Sequence, residues 1–210
     1  EMLARMGTVL GLEATPVKTD ELHEIKELHV ARVALIKDRT ACRNRIGMAR
    51  NKIVLAQLRA RLRQIDTQIA QIDRELRSRI KADPGLARRY EILTSIPGVG
   101  PVAAIALIIE MPELGAMSSK EAASLAGLAP ITRQSGTWKG KARIGGGRTA
   151  LRCMPAVIAT RFNAPLQQVH RTLIAAGKPW KVAITAVMRK LIVLANALIR
   201  DDRKWAEINP

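Results

Sequence analysis

The chain has 210 residues, a formal net charge of +17 and a pI near 11.0, an excess of cations that suits a polyanionic partner because Lys and Arg displace the counterions of a nucleic-acid backbone. Two cysteines, Cys42 and Cys153, exclude a disulfide framework and lack metal-ligand spacing, so a cytoplasmic protein with incidental thiols is expected. The most apolar run, 182–199, is interrupted by Arg189 and Lys190 and falls short of the roughly 20 uninterrupted apolar residues of a membrane span, which leaves an anionic membrane surface as the weaker competitor to nucleic acid.

In chain order, residues 1–19 show no signal peptide and, opening as EMLARMG, read as the linker of a fragment whose true start lies elsewhere. Residues 20–83 read as a basic helical hairpin or coiled coil. Thr19 or Asp20 can cap its first helix, acids fill the first turn, and Leu22, Ile25, Leu28 or His29, Val33 and Ile36 recur at helical spacing. A second series, Leu55, Leu58, Leu62, Ile65, Ile69, Ile72 and Leu76, steps by three and four like a heptad seam. Gly47 is the expected break between two antiparallel arms, each of about 30 residues and roughly 45 Å long. The seam calls for a partner, and both intrachain pairing and contact with a second copy are expected.

From Arg39 through Arg63 there are eight lysines and arginines and no acid: Arg39, Arg43, Arg45, Arg50, Lys52, Arg59, Arg61 and Arg63. Such a run can be an ordinary solvated helix face, but the acids that usually neutralise one through i,i+4 pairs are missing, which favours phosphate contact. DNA and RNA are equally compatible with it.

The character changes after Pro84, and residues 84–210 read as a compact helical domain, which makes the chain mainly α. The segment ILTSIPGVGPVAAIALIIE, about 92–110, resembles a helix-hairpin-helix element: a turn at Pro97–Gly100, then a helix opened by Pro101. In such an element Gly98 and Gly100 would let the chain approach a DNA phosphate at a helix N-terminus. A packed turn between two core helices fits the same residues, and the two readings are compatible.

A further helix is expected from Ser118 or Ser119, with Ser118 and Glu121 at capping-box spacing, to Gly127. Then 79 residues, Ala122 to Arg200, contain no aspartate or glutamate and carry 13 lysines and arginines. Within them lies ITRQSGTWKGKARIGGGRTALR, with a short hairpin expected around 137–144 and a Gly145–Gly147 triplet that could cap a helix facing an anion. It is not a Walker loop. Two last helices are expected at 165–176 and 179–200, with Trp180 in the core.

Ser135 is the candidate nucleophile. A serine before a glycine in a polar loop is ordinarily turn chemistry, and the acid-free stretch offers no local member for a hydrolase triad. Attack on a phosphodiester instead needs cations for the nonbridging oxygens, and Arg133, Lys139, Lys141, Arg143, Arg148 and Arg152 flank Ser135 and Gly136. His23, His29 and His170 are expected to have surface, seam or minor proton-transfer roles. Aromatic residues are sparse, although Trp138 lies three positions from Ser135. The competing readings are a noncatalytic basic module binding structured RNA or branched DNA, and a metal-dependent nuclease, whose carboxylates this stretch lacks.

The motifs SIPGVGPVAAIALIIEM, SLAGLAPITRQSG, KGKARIGGGRTALR and GKPWKVAITAVMRKLIVLANALIRD, in this order, resemble the C-terminal domain of the DEDD-type insertion-sequence transposases, the family of the pilin-gene invertase and the bridge-RNA-guided recombinases. The similarity runs from about Leu86 to Trp205, and the preceding helices resemble the family's coiled coil. The resemblance implies a nucleophilic serine at Ser135 beside Gly136 and a covalent phosphoserine–DNA intermediate. It also implies carboxylates that bind Mg2+ on an N-terminal RuvC-like domain expected before residue 1, a homo-oligomer (dimer or tetramer) built through the coiled coil, and DNA together with a guide (bridge) RNA as partners. A bacterial, nucleoid-associated location without membrane contact follows from the same likeness.

Overall fold

The computed structural model describes residues 5, 9, 20–132, 134–140, 142–148, 151 and 156–206, and it is mainly helical, as the sequence predicts. Helices α1 (Asp20–Met48) and α2 (Lys52–Ala82) form an antiparallel hairpin with arms of 29 and 31 residues. Its register is read from cross-arm pairs: Glu24 with Arg79, Arg32 with Asp73 at 2.5 Å, Arg39 with Asp66 at 3.6 Å, and the Cys42 thiol donating to the Leu58 carbonyl at 3.3 Å. Cys42, Ile65 and Ile69 are buried along the seam, with Leu58 and Leu62 packed beside them.

Two local expectations are corrected. Gly47 is helical, and the arms part at Ala49–Asn51, where the Asn51 side chain accepts from the Ile53 and Val54 amides at 2.9 and 3.3 Å. A side-chain cap sets a helix start more strongly than one glycine ends a helix. Val33 is 39% exposed, and the seam position falls to Arg32, whose aliphatic stem can line the apolar stripe while its guanidinium binds Asp73.

Buried His29 lies on the same seam. Burial lowers its pKa from the usual 6.5, opposed by the Glu110 carboxylate and reinforced by Arg32. A folded-state pKa below the unfolded one means that the unfolded chain takes up the extra proton, so His29 favours folding above pH 6.5 and that contribution is lost as the pH falls toward the folded value. Denaturant titrations of His29→Leu are expected to show a shallower loss of stability between pH 7 and 5 than those of the parent chain. An unchanged slope would remove His29 from that pH response.

Asp83 ends α2 and caps α3 (Pro84–Ser95), accepting from the Leu86 amide at 2.9 Å, while Pro84 occupies the first helical position, where a missing N–H costs nothing. Helix α4 (Pro101–Glu110) follows a turn closed by the Val99 amide on the Ile96 carbonyl, 2.9 Å. Ile105 and Ile109 of α4 share a buried cluster with Ile25, Leu76 and Ile80, so the root of the hairpin is sealed against the compact part of the chain. The other face of α4 joins the main core, where Leu107 and Ile108 meet Ile92 and Leu93 of α3 and Val187, Leu191 and Leu198 of the last helix.

Helix α5 (Ser119–Leu125) starts with the predicted capping box, Ser118 and Glu121 bonding reciprocally. Helices α6 (Ala156–Phe162), α7 (Ala164–Ala175) and α8 (Trp180–Arg200) complete the fold. By length and a mean hydropathy of 1.9, α8 could cross a membrane, but half of it is buried and it is the central helix of the core. Asn196, 1% exposed on α8, holds the 111–118 loop by accepting from the Gly115 amide and donating to the Met117 carbonyl, at 2.8 and 2.7 Å. Trp180, expected in the core, is 53% exposed because it occupies the first turn of α8, before that helix enters the packed layer; Trp205 instead packs against the core.

Candidate nucleophile and nucleic-acid interface

Between α5 and α6 the chain forms two nested two-stranded ladders. The outer pairs β1 (Pro130–Ile131) with β4 (Arg143–Ile144), and the inner pairs β2 (Gln134–Ser135) with β3 (Trp138–Lys139), both antiparallel. The turn is Gly136–Thr137, so the hairpin is centred nearer its N-terminal side than the sequence suggests. Ser135 therefore stands beside a two-residue turn, directly opposite Trp138, and both side chains are exposed, Trp138 by 60%. A hydroxyl held on a short paired strand has a defined direction and open solvent in front of it. Those are the geometric needs of a nucleophile that must meet a large substrate.

The cations predicted around Ser135 divide into three groups. Arg133, Lys141 and Arg152 lie outside the described residues, and Lys139 is placed by its backbone in β3. Arg143 is exposed in β4. Arg148 turns inward: its guanidinium grips Glu113 in a two-pronged ion pair at 2.6 and 2.7 Å and also donates to the Glu110 carbonyl. The Glu113 carboxylate raises the Arg148 pKa further, and this pair joins the glycine-rich loop to the end of α4. Glu113 lies 35 residues earlier in the chain, so no local pattern points to it. The half-buried Arg89 carries no local signal either; it donates to the Pro112 and Leu114 carbonyls at 2.8 Å, and partial burial lowers its pKa.

Within the glycine triplet Gly147 is packed against backbone, whereas Gly146 has open space around it. Gly147 has φ +60°, and a Cβ added there would fall 2.5 Å from the Leu125 carbonyl oxygen and closer still to the Gly127 amide nitrogen. Beside it the Arg148 amide donates to the Leu125 carbonyl at 2.8 Å. The triplet thus makes a backbone junction with the end of α5, and the stretch expected to form the helix that it caps lies mostly outside the described residues.

In the α3–α4 turn the two glycines differ. A Cβ on Gly98 would meet the Ala159 backbone of α6 at 2.5 Å, whereas Gly100, exposed at the N-cap of α4, has open space around it. The packed-turn reading accounts for Gly98. Gly100 keeps a solvent-facing helix N-terminus.

At the far end of the α1–α2 hairpin, Arg43, Arg45 and Arg50 are exposed, as are Lys52, Arg59, Arg61 and Arg63, while Arg39 is half-buried against Asp66. Among the described residues, no group of three His, Cys, Asp or Glu side chains is placed to hold a metal ion. The described residues therefore do not assemble a Mg2+ site by themselves.

Residues 90–171 match the model of the Transposase IS116/IS110/IS902 family, a span that includes both the α3–α4 turn and Ser135. The chain is also 36% identical over 133 residues to the pilin gene-inverting proteins of Moraxella bovis and Moraxella lacunata. Those alignments cover 60% of this chain and 41% of each relative.

Proposed function

We propose that this chain contributes the nucleophile and part of the nucleic-acid surface of a DNA recombinase of the insertion-sequence transposase type. The observation that carries this is Ser135, exposed on a short β-hairpin within the span matched to a transposase family. In the proposed reaction the Ser135 Oγ attacks a DNA phosphate, a phosphoserine ester forms, and the P–O3′ bond breaks. The serine proton passes to a base outside the described residues, and the 3′ oxygen leaves as a hydroxyl. A second 3′ hydroxyl then attacks the ester, rejoins DNA and returns the serine, so no net hydrolysis occurs.

Arg143 and Lys139 are proposed to screen the phosphate, with Arg133, Lys141 and Arg152 as further candidates; Arg148 supports the loop from behind. Carboxylates and Mg2+ would be supplied by a RuvC-like domain, a homo-oligomer by hairpin contacts, and target choice by a bridge RNA. These three elements rest on family resemblance. The direct test is a suicide DNA substrate incubated with full-length protein, followed by mass spectrometry of the Ser135 peptide. A DNA adduct on that peptide is expected, and an adduct mapped to another residue would overturn the assignment.

The proposal extends to the hairpin tip. If Arg43, Arg45 and Arg50 each neutralise a phosphate, the triple glutamine variant should flatten the dependence of log affinity on log salt by about 2 to 3 for duplex DNA. Fluorescence anisotropy across a salt series would measure it. An unchanged slope would remove the tip from the interface.

A further inference from the structure

Between the β1–β4 pair and the first half of α8 lies a groove of about 710 Å3. Arg143 enters it from β4, and Lys181 and Arg189 from α8; among the described residues that line it, none is acidic. Lys181, Thr185 and Arg189 are spaced i, i+4, i+8, so they form one stripe about 12 Å long. Trp180, 53% exposed, stands at the start of that stripe, and Ile144 is among the apolar residues that line the groove.

This combination selects among anionic partners. A cation row alone would accept any polyanion, but an exposed indole at its end adds a flat face that favours an unstacked base. Duplex DNA keeps its bases stacked inside and offers only phosphates. A flat membrane surface does not enter a groove. An acidic peptide would answer the cations and leave the indole without a ring to stack on.

We infer that this groove binds an unpaired stretch of DNA strand, with a base on Trp180 and phosphates along Lys181, Arg189 and Arg143. The choice of DNA rests on the proposed function; binding itself does not require Ser135. Pro130, which lines the groove, precedes Ser135 by five residues, so at most about 18 Å of chain separates groove wall from nucleophile. A strand held here would lie within a few nucleotides of the hydroxyl, positioned before any bond is broken.

The test is anisotropy with the whole chain and three labelled probes of one sequence: single-stranded DNA, the same strand in a duplex, and single-stranded RNA. Trp180→Ala is expected to weaken single-stranded DNA binding about tenfold or more, with Trp180→Phe within about threefold of the parent and duplex binding changed less than about twofold. Arg189→Gln should flatten the salt dependence for the single strand by about 0.7. Rescue by phenylalanine separates loss of stacking from loss of fold.

Equal weakening of duplex and single strand by Trp180→Ala, or no weakening of either, would overturn the inference. Tighter, equally Trp180-dependent binding of RNA would reassign the groove to RNA. A shift from oligomer to monomer in sedimentation, with DNA affinity unchanged, would assign it to a second copy of the chain. Failure to find a Ser135 adduct while Trp180 dependence persists would defeat only the catalytic proposal; an adduct without Trp180 dependence would defeat only this one.

Discussion

Ser135→Ala is expected to reduce recombination by the full-length protein by about three orders of magnitude or more, because a methyl group cannot form the phosphoserine ester on which strand exchange would depend. DNA affinity should change by less than about twofold, and folding stability by no more than about 0.5 kcal/mol, since the side chain is exposed on a two-residue strand. The split is what makes the result diagnostic. A general loss of binding would point to collapse of the hairpin, whereas retained recombination would return Ser135 to turn chemistry. The readout is product formation on paired recombination sites, alongside thermal unfolding of the same preparation.

The second large effect belongs to a residue with no side chain. Gly147→Ala would place a methyl group against the backbone of Leu125 and Gly127 at a φ of +60°. Left-handed backbone costs an L-residue about 1–2 kcal/mol, and neither contact can yield by side-chain rotation because both are main chain. A loss of about 3 kcal/mol is expected, equivalent to a Tm lower by about 6–12 °C in a chain of this size. Gly146→Ala is the control, since no atom lies within 4 Å of its added Cβ and only the φ cost remains. A Gly147 variant as stable as the Gly146 variant would mean that the junction with α5 can open. Because Arg148 follows immediately, the variant should also release the Glu113 ion pair and loosen the loop that ends β4.

Much of the helical layout was legible because it rests on local rules. Leu58, Leu62, Ile65, Ile69, Ile72 and Leu76 step by three and four and form the observed seam, Asp83–Pro84 carries both cap and first-turn proline, and Ser118 and Glu121 make the box their spacing predicts. Local rules do not reach positions where a distant partner decides. Arg148 reads as a phosphate ligand until Glu113 is beside it, and Arg32 displaces Val33 from the seam because Asp73 waits on the other arm. Trp180 departs from its expected core position for a related reason: an aromatic residue carries no local sign of whether the first turn of its helix lies under the core or outside it. At the candidate site, Ser135, Gly136 and Trp138 lie together because a two-residue turn is local. Which cations face the solvent there depends on tertiary packing.

The sealed root of the α1–α2 hairpin has a mechanical consequence. Ile25, Leu76 and Ile80 share a buried cluster with Ile105 and Ile109, so the arm is gripped by the helix that leaves the Pro97–Gly100 turn. A stiff arm about 45 Å long magnifies what happens at its base: a pivot of about 5° there sweeps the arginine-bearing tip through about 4 Å. Pulling on the tip would in turn bring torque to bear on α4, making the hairpin a lever with its fulcrum inside the hydrophobic core.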